Sequence, residues 1–292
     1  MKKIIILLVV LTCMHMFSLL PVLAEEETPT PQTITLEIGE MQVYDFGDIK
    51  LHAYKTNDPL SNESFILETA DALIGIESPC FESNLAEYLE YINALAKPMH
   101  FFMLPYHPAG AQVYEEGMEF AGTRAAKAAQ SEGGAVKGLV DSFIEIFGEG
   151  FNGSIPEITS ILEPGIVTLE GVDFVITETA DGFDMEIPAL HAVFTHMFGA
   201  DVHNILVSEE AIDTMIAQVK TYQEKAYALI LSSHDSPETQ EAAAEKLVYL
   251  QKVKQLAAES DNAEAFMSAM KEAFPNYSGD NYLEMSAGAL FP

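Results

Sequence analysis

The order of its predicted elements constrains the fold of this chain most. Apolar or alternating strand patterns occur between residues 33 and 76, at 99–104 and between 166 and 195. Helical spacing occurs in segments between and after these strands: 84–95, 112–150, and three segments that begin at Glu209, Ser236 and Asp261. A chain of 292 residues is long enough to bury one large core. This order predicts two sheets with outer helices in one domain, an α/β (α+β) architecture.

The N-terminus has the pattern of an export signal. Lys2 and Lys3 precede an apolar run that extends to Leu20, and a small-residue cleavage pattern ends at Ala24. Polar interruptions and Pro21 argue against the alternative, a retained membrane anchor. We therefore expect a mature protein in the periplasm or extracellular space, with no membrane span after cleavage. The predicted units follow in chain order: a signal peptide at 1–24, an acidic flexible leader at 25–34 and a folded domain at 35–292.

Acidic residues dominate the charge of the chain. Asp and Glu number 45 against 14 Lys and Arg, which gives a formal net charge of −31. Such a field repels phosphate backbones and anionic lipid, so we expect no nucleic-acid partner. A small molecule or an envelope protein is the expected partner. Cys80 is the single cysteine beyond the predicted cleavage site, so the mature chain cannot form an internal disulfide.

A buried strand pattern at 101–104 leads into a turn that contains His107. Strands commonly deliver metal ligands at such turns. The neighbouring side chains that would complete a metal site are those of Pro105, Ala109 and Gly110, and none of them can bind a metal. The framework therefore suggests an enzyme, whereas the side chains suggest that its chemistry has been lost or changed.

The order of elements resembles the metallo-β-lactamase fold, a four-layer αβ/βα sandwich. The segment 62–77 is similar to that family's opening hairpin, whose second strand ends in an aspartate that supports the metal site; the nearest equivalent here is Glu77. The turn at 104–110 lies where the family carries Thr-His-x-His-x-Asp-His. By this resemblance His107 takes the second histidine position, and non-ligands take the other ligand positions.

Three later segments extend the resemblance. The segment from Asp181 to Asp184 corresponds to one that carries a further histidine in the family, and it contains none. Residues 192–197 resemble the strand that ends in the bridging aspartate. Without a gap Met197 takes that position, and a shift of one residue places His196 there. Residues 232–235 resemble the Gly-His-Gly loop, which makes His234 the equivalent of the final histidine.

The resemblance implies a reduced metal site. Its candidate ligands are His107, His196 and His234, which could hold one zinc or another divalent ion. Each of them is alternatively an ordinary turn or loop histidine that bonds a backbone carbonyl. The expected surrounding pocket consists of residues in or next to the segments that resemble the family: Glu77, Tyr106, Asp181, Met197, Asp201 and His203.

Loss of most ligand types favours a non-catalytic pseudoenzyme that binds a ligand or partner through the former active-site cleft. The alternative is a metal-dependent hydrolase of an ester, lactam or thioester, with a rebuilt mononuclear site and a metal-bound water as nucleophile. A third hypothesis is an acidic surface protein whose fold is only a scaffold. The geometric question that separates them is whether the three histidines converge within about 5 Å, as metal–nitrogen bonds of roughly 2 Å require.

Overall fold

Eight consecutive strands form the first of two β-sheets, and they lie side by side in chain order. The computed structural model describes residues 28–114 and 117–292, so the predicted signal peptide at 1–24 lies outside the described residues. The strands of this sheet are β1 (Gln32–Thr35), β2 (Glu40–Asp45), β3 (Lys50–Lys55), β4 (Glu63–Glu68), β5 (Leu73–Ile76), β6 (Met99–Met103), β7 (Glu119–Gly122) and β8 (Ser160–Ile161).

The second sheet has five strands in the order β13-β12-β11-β10-β9. These strands are β9 (Gly165–Leu169), β10 (Val172–Glu178), β11 (Phe183–Ile187), β12 (Ala192–Thr195) and β13 (Leu229–Ser232). β12 and β13 pair in parallel, and every residue of both is buried. Continuous apolar runs of this kind are typical of parallel strands that are covered on both faces.

The helices lie outside the sheets. They are α1 (Glu82–Leu95), α2 (Arg124–Gln130), α3 (Ala135–Phe147), α4 (Glu209–Lys225), α5 (Gln240–Glu259), α6 (Ala263–Ala273) and α7 (Asp280–Leu290). α1 follows β5 and packs on the first sheet through Tyr88 and Ile92. α4 to α7 share a second apolar cluster with Val193 and Ile230 of β12 and β13.

The main core lies between the two sheets. Apolar side chains of β2 to β6 join those of β9 to β13 in one cluster, and the rings of Phe65 and Phe194 meet edge to face with centroids 5.9 Å apart. Full burial of one such side chain contributes about 1.5–3 kcal/mol. The layers are therefore helix, sheet, sheet, helix, which confirms the predicted four-layer αβ/βα sandwich.

Local structure explains where the element bounds differ from the expectation. β1 begins at Gln32, inside the segment 25–34 predicted as leader, because Gln32 pairs with Val43 of β2. α5 begins at Gln240 and not at Ser236, because Glu238 and Ile230 exchange backbone hydrogen bonds of 2.7 and 2.9 Å that hold the segment extended. α7 was not predicted.

α4 begins where its sequence predicts. Ser208 is its N-cap, and the side-chain oxygen accepts a hydrogen bond of 3.1 Å from the backbone N–H of Ala211. Within residues 28–114 and 117–292, no helix combines the length and apolarity that crossing a bilayer requires.

Candidate metal centre

Three histidines follow strands of the two different sheets and meet between them. His107 lies four residues beyond the end of β6, His196 directly follows β12, and His234 lies two residues beyond β13. Parallel strands end at the same sheet edge, so β12 and β13 deliver their histidines to one place. The turn after β6 brings the third histidine from the opposite sheet.

The imidazole nitrogens of these residues converge. One ring nitrogen from each of His107, His196 and His234 lies within 4.8 Å of the other two. The Nε2 atoms of His107 and His196 are 3.2 Å apart. Two nitrogens on one tetrahedral zinc ion, each at about 2.0–2.1 Å, are separated by roughly 3.3 Å. One pair of the three therefore already has the spacing of two ligands of a single ion, and the third histidine has a ring nitrogen within 4.8 Å of both.

The outward nitrogens of two histidines face acceptors. Nδ1 of His234 lies 3.1 Å from the carbonyl oxygen of Leu60. Nδ1 of His107 lies 3.3 Å from Oε2 of Glu77, although their alignment is too poor for a good hydrogen bond. An acceptor at Nδ1 favours the tautomer with its proton there and leaves the Nε2 lone pair free. Metal-binding histidines usually have this arrangement.

Glu77 holds the turn that carries His107. Its carboxylate is fully buried, and Oε1 accepts backbone hydrogen bonds from Tyr106 at 2.9 Å and from His107 at 3.1 Å. Burial raises the pKa of Glu77 to about 7, against the opposing effect of Ser233. Glu77 also has a φ of 56°. A left-handed conformation of this kind costs a non-glycine residue on the order of 1 kcal/mol, and such strain clusters at functional sites.

Burial keeps the three histidines neutral. It lowers the pKa of His107 well below its ordinary value, that of His196 to about 3, and that of His234. Repulsion from neighbouring imidazoles adds to the effect at His107 and His196. A neutral imidazole is the form that binds a metal, so each of the three histidines is in a metal-binding protonation state at neutral pH.

The residues that follow His107 provide neither a ligand nor space for a second ion. Gly110 has a φ of 84°, and a Cβ atom there would overlap the carbonyl oxygen of Pro79 and lie 3.1 Å from Cδ1 of Leu85. Ala109 is buried in an apolar cluster that includes Cys80. The positions that the resemblance gives to an aspartate and a histidine are therefore packed by backbone and apolar atoms. We call residues 108–110 the closed turn.

The expected pocket residues lie at different distances from this cluster. Tyr106 is adjacent to it, with its ring stacked on His196 at a centroid distance of 4.5 Å. Met197 is half-buried and follows His196, the residue of that segment that joins the cluster. Asp181 and Asp201 are exposed.

His203 is the remaining residue of the expected pocket. It is buried against Tyr249 and Tyr277, and its Nδ1 lies 3.2 Å from the hydroxyl oxygen of Tyr249. The structure therefore brings together the three candidate ligands with Glu77 and Tyr106, and it places His203 in a separate set of contacts with the C-terminal helices.

Sequence reasoning missed two contributors to the cluster. The Leu60 carbonyl is 174 residues from His234 in the chain, and any residue could supply it. Asp184 accepts a hydrogen bond of 2.7 Å from the hydroxyl of Tyr106, 78 residues away. The first leaves no signal in side-chain identity. The second lies in a segment where the sequence suggests first of all an Asp-Gly turn.

Comparisons with known proteins support the fold. No family model and no curated protein sequence matches this chain. Among solved structures, a metallo-β-lactamase family protein from Thermus thermophilus is similar at 14% identity and a TM-score of 0.58, over 83% of this chain and 91% of that chain. The stereoselective inverting sec-alkylsulfatase Pisa1 from Pseudomonas sp. is similar at 12% identity and a TM-score of 0.53, over 88% of this chain and 49% of that one. The chain has the metallo-β-lactamase fold.

Proposed function

We propose that this protein binds one divalent metal ion at His107, His196 and His234 and uses it to hydrolyse a small substrate. The convergence of three neutral imidazoles from two sheets is the observation that carries the proposal. It favours the rebuilt mononuclear hydrolase over the non-catalytic interpretation that the loss of family ligands suggested.

The donor set suits zinc. Catalytic zinc sites commonly use three protein ligands and keep a fourth position open, and an all-histidine set is one of the known combinations. The side chain of His107 is 20% exposed, so the cluster is not sealed from solvent. The buried carboxyl group of Glu77 also favours a cation here when it is ionised, because its Oε2 lies 3.3 Å from His107 Nδ1.

When bound, zinc supplies a water whose pKa is about 7 and polarises a substrate oxygen. The chain's own groups orient the ligands. Glu77 holds the His107 turn through two backbone hydrogen bonds, and its Oε2 lies 3.3 Å from His107 Nδ1. The Leu60 carbonyl faces His234 Nδ1. These contacts fix ring orientation before a ligand arrives, so little rearrangement accompanies binding.

The closed turn supports a single ion. A dinuclear site holds two ions about 3.5–4 Å apart, and it needs further ligands and a group that bridges the ions. Ala109 and Gly110 supply none, and the contacts of Gly110 with Pro79 and Leu85 leave no room for a larger side chain. The proposed chemistry is therefore that of one metal ion with three imidazole ligands.

Metal titration is the primary test. Protein stripped with a chelator is titrated with Zn²⁺ in competition with a chromophoric chelator, and the bound metal is counted by elemental analysis. We expect one Zn²⁺ per chain with a micromolar or tighter Kd. The variant His100→Ala is the matched control. It should bind Zn²⁺ like the wild type, because His100 is exposed, pairs with Glu170 and is not one of the three clustered histidines. Absence of binding, or two tightly bound ions, contradicts the proposal.

A substrate panel then separates hydrolase from binding protein. The panel contains esters, lactams and thioesters, together with an alkyl sulfate because one structural neighbour is a sec-alkylsulfatase. We expect turnover with Zn²⁺ and none in the chelator-stripped protein. A protein that binds one Zn²⁺ but hydrolyses nothing with zinc, manganese or iron supports the second candidate, a non-catalytic ligand- or partner-binding protein. The loss of the ligands at Ala109 and Gly110 is the observation that favours that candidate.

We also propose export to the periplasm or extracellular space. The apolar segment and cleavage pattern at 1–24 support this, as does the strongly acidic composition of the chain. N-terminal sequencing of the protein recovered from its natural compartment should find Glu25 as the first residue. A full-length chain retained inside the cell contradicts this proposal without affecting the metal site.

A further inference from the structure

The ring of Tyr106 lies flat on His196. Their centroids are 4.5 Å apart and their planes differ by 12°. Tyr106 is only 9% exposed, and its other neighbours include Phe194 at a centroid distance of 6.5 Å. His196 is the one histidine of the three for which no backbone carbonyl or carboxylate is found at its outward nitrogen among the described contacts. The stacked ring therefore supplies the orientation that an acceptor supplies to the other two.

Tyr106 is itself held at both ends. Its backbone N–H donates to Glu77 Oε1 at 2.9 Å, and its hydroxyl donates to Asp184 Oδ1 at 2.7 Å. The same hydroxyl lies 3.2 Å from Thr179 Oγ1. Gly182 packs against the ring so closely that a Cβ there would lie 2.6 Å from two ring carbons. The ring thus has little freedom to tilt or slide.

Asp184 connects Tyr106 to the helix behind β12. Nε2 of Gln218, in α4, lies 3.0 Å from Asp184 Oδ2 and 2.6 Å from the hydroxyl oxygen of Tyr222. It also lies 3.4 Å from Oγ1 of Thr195, the residue that precedes His196. This network therefore reaches His196 at two points: Tyr106 stacks on its ring, and Gln218 contacts Thr195, which precedes it in the chain. We call Tyr106, Asp184 and Gln218 the tyrosine brace.

We propose that the tyrosine brace positions His196 for metal binding, with Tyr106 as the residue that acts directly on the imidazole. The inference rests on the proposed function, because it assigns a role toward the same ion. None of the three side chains is a ligand. Tyr106 acts through His196, Asp184 through Tyr106, and Gln218 through Asp184.

Zinc affinity and the visible spectrum of the Co²⁺-substituted protein test the proposal in the full chain. Tyr106→Leu removes the stacked ring, and we expect the Kd for Zn²⁺ to rise by about 10–100-fold, the usual effect of losing a group that orients a ligand. The Co²⁺ bands should shift, because the geometry of the His196 ligand changes. Tyr106→Phe keeps the ring but loses the hydrogen bond to Asp184, so we expect a Kd above that of the wild type and below that of Tyr106→Leu.

Tyr114→Leu is the matched control. Tyr114 is a buried tyrosine stacked on Phe102 at 4.3 Å, so this variant loses a comparable ring elsewhere in the core. Its Kd and Co²⁺ spectrum should equal those of the wild type. Equal affinity of Tyr106→Leu and wild type overturns the proposal, and so does an equal loss in Tyr114→Leu, which indicates general destabilisation.

The remaining outcomes also decide. If Tyr106→Leu does not fold, Gln218→Met breaks the brace with a side chain of similar size. A raised Kd with shifted Co²⁺ bands then supports the proposal, and unchanged values overturn it. If the wild-type protein binds no Zn²⁺, the proposed function fails and this inference fails with it. If the wild type binds Zn²⁺ and the brace variants bind it with the same Kd, the proposed function is retained and this inference is overturned.

Discussion

The three-histidine cluster and the closed turn lie within a few residues of each other, yet their polar character is opposite. At His107 the chain brings three neutral imidazoles together, and the Nε2 atoms of His107 and His196 lie within hydrogen-bonding distance of each other. At Ala109 and Gly110 it fills the equivalent space with apolar packing and backbone contacts. Potential metal ligands are therefore unevenly distributed. One part of the centre presents atoms that could bind a cation, while the adjacent part is apolar core.

Among the changes that test this difference, removal of one histidine ligand should have the largest effect, which is on the Kd for Zn²⁺. We expect His234→Ala to weaken Zn²⁺ binding by more than the roughly 10–100-fold that follows loss of a ligand's hydrogen-bond partner. Two imidazoles remain, and they cannot replace the third metal bond. Chelator competition measures the Kd. His191→Ala, at a histidine that faces the carbonyl of Lys225, is the control. Unchanged affinity would remove His234 from the ligand set.

Substitution in the closed turn should lower the stability of the fold and leave the affinity for metal unchanged. Gly110→Ala adds a Cβ at a φ of 84° against the Pro79 carbonyl, and we expect a loss of about 3 kcal/mol in the free energy of unfolding. Gly133→Ala is the matched control, because Gly133 has a φ of 82° and no atom near the Cβ position. It should cost about 1 kcal/mol. Urea unfolding compares the two, and equal losses would show that the turn is not tightly packed.

The carboxylate behind His107 should contribute a smaller share of metal affinity. Glu77→Gln retains an oxygen for the backbone donors of Tyr106 and His107, but it removes the negative charge that faces Nδ1. We expect a Kd about 10-fold higher for Zn²⁺. Glu170→Gln, at the carboxylate paired with exposed His100, is the control. A Kd equal to that of the wild type would limit Glu77 to a structural role.

The buried carboxyl group of Glu63 on β4 should give the metal-free protein a pH-dependent stability. Burial raises the pKa of Glu63 from 4.5 to about 8 in the folded state. Between these values the folded protein keeps a proton that the unfolded chain has lost, so stability falls as the pH rises from 4.5 to 8. Glu63→Gln should lessen that fall by roughly 3 kcal/mol. Urea unfolding at about pH 5 and about pH 8 measures the change in the free energy of unfolding between these pH values. An equal change in the variant and the wild type would contradict the expectation.

Local signals in the sequence predicted much of the fold. The strand pattern was predicted to end at residue 195, where β12 ends, and a helix was predicted from Glu209, where Ser208 caps α4. The helix start predicted at Ser236 was wrong, because the pairing of Glu238 with Ile230 holds that segment extended. That pairing depends on a tertiary neighbour and has no local signature.

The candidate site was predictable only as a set of residues. Resemblance to a known family selected His107, His196 and His234, but their convergence depends on how two sheets dock. His107 and His196 are 89 residues apart in the chain. The register of one residue at the end of β12 decides whether His196 or Met197 enters the cluster, and periodicity in a buried strand cannot fix it. The tyrosine brace is equally non-local.

The origin of the ligands in two sheets has a consequence for the lifetime of the folded chain. A bound ion would link His107 of one sheet to His196, 89 residues later, and to His234 in the other sheet. The described part of the protein contains one cysteine and hence no disulfide of its own. The site is complete only after the sheets have docked, so the metal stabilises the assembled state and not its halves. Separation of the sheets would then require release of the ion. Metal supply would set how long the protein resists proteolysis.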